Sequence, residues 1–337
     1  MKPFGILGAG SFGTALAVSS ARAGHRTRLW ARRREAALEM AARRENRTYL
    51  PGVPFPPGLE TTSDLDALAE VDPLIVAVPS HGYRSVLADY LVARSSRAPL
   101  TIVSATKGIE AESLARMSRV SDEECVRRGV PCGFAVLSGP TFAAELARGA
   151  PSAAVVACED EELAKELRQS LANPTFRLYS SQDVVGVELG AAAKNVIAIA
   201  AGVLSGLGLG HNILAALITR GLHEMTRLGV AYGGDLKTFS GLAGLGDLVL
   251  TCTGALSRNR RTGIELAQGK TLAEIEAETT EIAEGVKNSR VIQRLAAQRD
   301  VEMPIIEQMV EVMYEGKSPK AALRDLMTRE LKQESQL

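Results

Sequence analysis

Aromatic residues make up only 4% of this 337-residue chain, with a single Trp, so any core has to be built from the Ala, Val, Leu and Ile that fill its 46% hydrophobic share. Net charge is missing too, because 39 Lys and Arg balance 39 Asp and Glu. Without a basic field there is no footprint for nucleic acid or an anionic membrane, and a small-molecule ligand is expected instead. Cysteine is scarce. Cys125, Cys132, Cys158 and Cys252 show no CxxC spacing and no neighbouring His, which argues against a metal site and a disulfide framework. Four reduced thiols in a cytoplasmic protein are expected. His25, His81, His211 and His223 fall in no triad or ligand spacing and are read as structural. The opening "MKPFGILGAG" lacks the apolar length of a signal peptide. Between Val196 and Thr219 no Asp, Glu, Lys or Arg occurs, yet Gly202, Gly206, Gly208 and Gly210 interrupt the stretch. Two buried helices joined by a glycine-rich turn fit it better than a membrane span.

What is present has order. The length suits two domains. From Phe4 to about Tyr179, the runs "FGILGA", "TRLWA", "PLIVAVP", "LTIVSAT", "FAVLSGP", "SAAVVAC" and "FRLY" alternate with helical patterns. Continuous apolar runs suit strands buried on both faces, hence a mostly parallel sheet covered by helices. From Asp183 onward the texture becomes Ala, Leu and Glu-rich at helical spacing, with no convincing strand. We therefore expect an α/β chain with a Rossmann-type doubly wound sheet over residues 1–182 and an all-α domain over residues 183–337. "YLPGVPFPPG", residues 49–58, is expected to be a proline-rich surface excursion.

The first βα unit carries "GILGAGSFGTALA". In that context Gly8 permits the tight turn, Gly10 lets the backbone approach a pyrophosphate, and Gly13 lets the helix pack on the strand. The helix N-terminus then faces the anion. At the tip of the second strand, where an NAD site usually has Asp or Glu, the chain reads "RLWARRRE". Guanidinium groups of Arg32, Arg33 and Arg34 suit a 2′-phosphate, so NADPH is expected over NADH. The alternative is a solvated basic helix start, with Glu35 serving NADH.

Only ten residues are lysine. Lys107 in "SATKGIE" and Gly139 with Thr141 in "LSGPTFAAE" follow strands, at the carboxyl edge where ligands of open α/β sheets sit. Lys194 lies in "ELGAAAKNVIAIAAG", with Val187, Gly190, Ala191 and Ala198 as helical neighbours. Small residues there leave space for a ligand, and burial pushes a lysine pKa down towards proton exchange. Lys194 is read as a general acid/base for a carbonyl/alcohol interconversion; the alternative is a stem reaching water or pairing with Glu188. "GLGDLVLTC" sets Asp247 and Thr251 on one helical face, and "SRNRR" supplies Ser257, Arg258 and Asn259, a group suited to phosphate oxygens or else a solvated charged turn. Glu284 in "EIAEGV" is unremarkable by pattern.

Together "GAGSFGTALA", "VAVPSH", "SATKGIE", "LSGPTFAAE", "GVELGAAAKNVIAIAAG", "TRGLHEM", "FSGLAGLGDLVLTCTGALSRNRR" and "EIAEGV" resemble the bacterial-type NAD(P)-dependent glycerol-3-phosphate dehydrogenases, in order through nearly the whole chain. The resemblance implies a 6-phosphogluconate-dehydrogenase-like architecture and reversible reduction of dihydroxyacetone phosphate to sn-glycerol 3-phosphate. It also implies a cytoplasmic homodimer feeding phospholipid synthesis. By matching position it makes Lys194 the proton donor or acceptor, with Asp247 and Lys107 beside it in catalysis. Lys107, Gly139, Thr141, Asp247, Ser257, Arg258 and Asn259 fall where the family holds substrate. Ser11, Phe12, Arg32, Arg33, Lys107, Ala143, Arg258, Ile282 and Glu284 fall where it holds dinucleotide, and Asn195 and Thr251 on polar positions of the same site. Phe12, Thr141 and Ile282 stand where many members have Trp, Ser and Val. The two halves of this site fall on different domains, so closure between them is expected. A β-hydroxyacid-type dehydrogenase of the same plan is the rival enzyme, and a non-catalytic NADPH-binding sensor the rival of another class.

Overall fold

All seven apolar runs form strands in the computed structural model, which describes residues 2–94, 96–279, 283–330 and 333–334. The strands are β1 Phe4–Leu7, β2 Thr27–Trp30, β3 Leu59–Thr62, β4 Leu74–Val76, β5 Leu100–Ser104, β6 Cys132–Ser138, β7 Ser152–Ala157 and β8 Phe176–Ser181. They make one sheet in the order 3-2-1-4-5-6-7-8, parallel throughout except where β7 runs antiparallel to β6. Helices α1 Ser11–Arg22, α2 Arg34–Arg43, α3 Ser80–Ala93, α4 Met117–Arg128, α5 Ala143–Arg148 and α6 Glu161–Leu171 connect them. The continuous apolar runs are explained by two cores that take alternate residues of each strand. Ile6, Leu29, Ile75 and Val103 enter one, while Leu7, Trp30, Leu74, Val76 and Ile102 enter the other.

Three details are unexpected. β3 has no apolar run: Leu59 is buried and Glu60 exposed, and as an edge strand it pairs only with β2. The proline-rich stretch before it does run along the surface, with Pro51, Gly52, Pro54, Pro57 and Gly58 exposed, but it is anchored: Leu50, Val53 and Phe55 are buried in the core and Phe55 N–H donates to the Arg44 carbonyl at 2.7 Å. The expectation of four reduced thiols fails, since Cys125 and Cys132 form a disulfide with Cα atoms 6.4 Å apart. Gly129, in the left-handed region at φ 63°, ends α4 and turns the chain back so that its last turn faces the start of β6. Cys158 and Cys252 are free and buried.

The chain divides into two compact units, Met1–Glu110 with Ala115–Val184, and Ala111–Leu114 with Val185–Leu337. The second contains α7 Val184–Gly206, α8 His211–Ala231, α9 Leu236–Ser240, α10 Asp247–Thr253, α11 Arg258–Ala267, α12 Leu272–Glu278, α13 Glu284–Gln298, α14 Pro304–Tyr314 and α15 Pro319–Met327, and no strand among the described residues. α7 is long and apolar enough to cross a membrane, yet 94% of its most apolar window is buried inside the fold. It is the central helix of this unit, and the glycine-rich turn that follows separates it from α8.

One buried acid ties two helices of this unit together. Glu224 on α8, 1% exposed, accepts from the Ile305 and Ile306 N–H groups at 2.8 and 3.3 Å, capping an α14 N-terminus that has no side-chain cap of its own. Burial pushes its carboxyl up to about 7, against those two hydrogen bonds and Arg227, which favour the anion, and with Glu307 adding repulsion. A folded-state pKa above the unfolded value means that the folded chain binds the proton more tightly. The associated stability is complete below the ordinary carboxylate range and is lost as pH rises through about 7, a change of about 3 kcal/mol. Urea unfolding at about pH 5 and about pH 8 should show this loss. Glu224→Gln should flatten it, and an undiminished pH slope in that variant would exclude the assignment.

Candidate active site

In the first unit, register brings the sequence motifs to one edge of the sheet. Leu7 pairs with Trp30 and with Val76, Val76 with Ser104, and Ser104 with Val136, so the loops after β1, β2, β4, β5 and β6 leave from the same carboxyl ends. The glycine motif works there as a backbone device. Gly8 sits at φ +111°, and a Cβ on it would lie 2.5 Å from the Ala77 carbonyl oxygen, while a Cβ on Gly13 would strike the Gly8 carbonyl. Around Gly10 a Cβ would meet nothing within 4 Å, and this residue gives α1 no side-chain cap. The first-turn N–H groups therefore suit an anion held against open space, and these residues fit a dinucleotide pyrophosphate.

Asn46 holds this loop in place and was not singled out by sequence. It is buried, and its Nδ2 donates to the Ala9 carbonyl at 2.9 Å and to Thr14 Oγ1 at 2.8 Å. An Asn inside "RENRTYLPG" carries no pattern that could have marked it. Arg32 and Arg33 follow β2 directly and are exposed, with Arg33 at the N-cap of α2. Lys107 Nζ donates to the Gly139 carbonyl at 3.1 Å and lies 5.7 Å from the Phe12 ring centroid. Thr141 Oγ1 donates to the same carbonyl at 3.2 Å. Ser11 opens α1 and Ala143 opens α5. The loop after β5 is fixed by Arg84, which grips Glu110 through two hydrogen bonds of 2.8 and 2.7 Å.

In the second unit, α7 delivers Lys194 into a buried ion pair. The ammonium, 4% exposed, donates to Asp247 Oδ1 at 2.8 Å and to Thr251 Oγ1 at 2.7 Å. Asp247 and Thr251 do share one face of α10, and the Thr251 hydroxyl donates to the Asp247 carbonyl at 2.6 Å, leaving its lone pairs for the lysine. A π-helical turn over Leu242–Gly246 feeds directly into Asp247. A stem reaching water is thus excluded. The space beside Gly190, however, is already taken, since a Cβ there would meet the Ala243 carbonyl at 3.5 Å and the Phe239 ring at 3.6 Å. Small residues on that face serve close packing of α7. Asp247, Thr251 and Cys252 are all buried around it, and burial pushes the Cys252 thiol up to about 12, with Lys194 opposing.

Asn195 and Asn259 form a second buried set. Asn259 Nδ2 donates to Asn195 Oδ1 at 2.9 Å, and Asn259 Oδ1 accepts from Gly285 N–H at 2.9 Å, next to Glu284 at the start of α13. Ser257 caps α11 by accepting from Arg260 N–H at 3.2 Å. Arg258 is half-buried and makes no side-chain hydrogen bond or ion pair among the described residues, so its guanidinium is available to an anion beside that helix start. Ile282 lies outside the described residues.

Known proteins match this arrangement along its length. Profiles for the N-terminus and C-terminus of NAD-dependent glycerol-3-phosphate dehydrogenase match residues 3–164 and 183–324. The chain is 49% identical over 334 residues to the glycerol-3-phosphate dehydrogenase [NAD(P)+] of Geobacter metallireducens, covering 99% of each. It is 46% identical over 330 residues to that of Solidesulfovibrio magneticus, covering 98% of this chain and 99% of the other. The crystal structure of glycerol-3-phosphate dehydrogenase from Coxiella burnetii superposes with a TM-score of 0.92 at 39% identity, over 97% of this chain and 99% of that one. A ketopantoate reductase from Ralstonia eutropha, at 15% identity and a TM-score of 0.59, shares the fold alone. With a glycine turn and an uncapped helix start at the sheet edge, a buried lysine on α7, and both family profiles in sequence, the chain belongs to the NAD-dependent glycerol-3-phosphate dehydrogenases, oxidoreductases acting on the CH–OH group of glycerol 3-phosphate.

Proposed function

We propose that the chain reduces dihydroxyacetone phosphate to sn-glycerol 3-phosphate with Lys194 as the proton donor, using NADPH in preference to NADH. The observation that carries this reading is the buried Lys194 ammonium, held by Asp247 and Thr251 at 2.8 and 2.7 Å. Bound NADPH supplies the hydride. Reduction turns the substrate's C2 carbonyl oxygen into an alkoxide, and that charge has to be met as it forms. Lys194 polarises the oxygen and gives it a proton; in the reverse direction the neutral amine takes the proton back. Asp247 and Thr251 orient the amine by accepting its other N–H groups. Arg258, with Ser257 and Asn259 beside it, grips the phosphate, and that remote contact fixes C2 in position.

In the first unit Gly8, Gly10, Ser11, Phe12 and Gly13 hold the pyrophosphate end of the dinucleotide, with Lys107 and Ala143 lining the same edge. Arg32 and Arg33 carry the preference for a 2′-phosphate, since both are exposed at the tip of β2 and no carboxylate precedes Glu35 there.

Replacing Lys194 by Met should lower kcat by about 10²- to 10⁴-fold and leave NADPH binding intact; retained turnover rules out the proton role. In Arg258→Gln the KM for dihydroxyacetone phosphate should rise about tenfold or more, and a KM that stays put removes the phosphate contact. Replacing Arg32 and Arg33 together by Ala should weaken NADPH about tenfold in a fluorescence titration while NADH is unaffected. Equal losses for the two nucleotides would count against a 2′-phosphate site.

A further inference from the structure

The "TRGLHEM" stretch of α8 supplies no residue to the active-site groups described above. Along this helix Ile213, Ala216 with Leu217, Arg220, Glu224 and Arg227 follow one another at helical spacing, forming one stripe. The stripe lines a cavity of about 390 Å³ whose other walls come from α7, α14 and α15, with Glu302, Arg329 and Glu330 at its charged end. That volume lies in the range of small-molecule sites. Its lining is polarised along the helix. The first turns are apolar and joined there by Leu323 and Leu326 of α15, and the later turns bring in the charged residues. Past Leu323 and Met327 the apolar floor continues to Leu207 and Leu209, of which Leu209 is 40% exposed.

The charged end has donors to spare. Arg220 is half-buried and makes no hydrogen bond or ion pair among the described residues, and burial weighs against its charge. Arg227 gives one N–H to the Glu302 carbonyl at 2.8 Å, and its Nε is enclosed by protein, so it does not open onto the cavity. Glu224 is engaged by the backbone of α14 through both oxygens. Arg329 is taken up by Glu302 at 3.4 Å and Glu330 is exposed to solvent, so Arg220, with Arg227 beside it, is the guanidinium with unused donors at one end of an apolar channel, complementary to an anionic head on an apolar body.

We propose that this cavity binds a single-chain amphiphilic anion, an alkyl chain bearing one carboxylate or phosphate, with its head on Arg220 and Arg227 and its chain along Ile213, Leu217 and Leu323. The lining shares no residue with the Lys194 set or the glycine motif, and the proposal stands whether or not the roles proposed above hold.

Isothermal titration of the full chain with decanoate, decyl phosphate and decanol tests it. Both anions should bind saturably at one site per chain, and decanol at least about tenfold more weakly. Arg220→Gln should weaken both anions about tenfold and leave decanol unchanged, and Ala216→Phe, on the exposed rim, should abolish binding of all three. Both variants should keep full dehydrogenase turnover, which shows that they are folded. The stronger of the two heads identifies the source, a free fatty acid for decanoate or a phosphorylated lipid for decyl phosphate. Decanol binding as tightly as the anions, or anion binding that survives Ala216→Phe, overturns the proposal. It is overturned equally if neither anion binds; a dimer that Ala216→Phe then turns into a monomer in sedimentation would show that a second copy covers this face.

Discussion

Burial of the Lys194 ammonium against Asp247 is the constraint around which the helical unit is arranged. Taking both charges out of water costs several kcal/mol per ion, and a well-packed apolar pair of the same volume would usually hold two helices together as well or better. Stability alone therefore gives no reason for this pair. A reason appears if the amine must exchange a proton with an oxygen in a dry place. Water would screen the charge and compete for the hydrogen bonds, while Asp247 and Thr251 hold the amine without displacing it from its helix. The neighbouring thiol of Cys252 is fully buried as well, and that burial pushes it up to about 12.

In the first unit the corresponding constraint is backbone, and what matters is the absence of side chains. Gly8 and Gly13 leave the β1–α1 turn tight enough for the helix to press on the strand, and Gly10 leaves its helix start bare. A bare turn needs support from elsewhere. Asn46, reaching from beyond α2, satisfies the Ala9 carbonyl and the Thr14 hydroxyl at once, which ties the shape of the turn to a segment more than thirty residues away. The loop bearing Lys107 is fixed in a similar way, by the two-pronged grip of Arg84 on Glu110. In both cases the residues that would touch ligand sit on loops, and their precision comes from buried polar partners that never touch it.

How much of this could be read in advance follows from the range of the forces involved. Strands whose residues alternate between two cores announce themselves as apolar runs, so β1, β2 and β4 to β8 were legible. β3 was not, since one buried Leu59 among Glu60, Thr61 and Thr62 makes no run. Lys194 stood out because a charge inside an Ala-rich helix is locally costly, and Asp247 with Thr251 followed from helical spacing. The meaning of the surrounding small residues was not local. Gly190 looks like room for a ligand until Phe239 and Ala243 are seen to fill it. Long-range partners such as Asn46 for Ala9, or Cys125 for Cys132, depend on where chain segments meet and leave no periodic trace.

α7 shows why its composition looks as it does. Lys194 faces α10, and one residue on, Asn195 joins the Asn259 and Gly285 chain of α11 and α13. Further along, a Cβ on Gly202 would strike the Arg260 carbonyl, while Ala200, Val203 and Leu204 form a wall of the α8 cavity. A helix with neighbours on every side has no face for water, so it has to be apolar all round, and narrow enough for several helices to approach at once. Ala and Gly satisfy both demands. The same rule explains why a lysine can be placed here with such definition: on a helix clamped from all sides, the stem has one way to leave, and the ammonium is held where the stem ends.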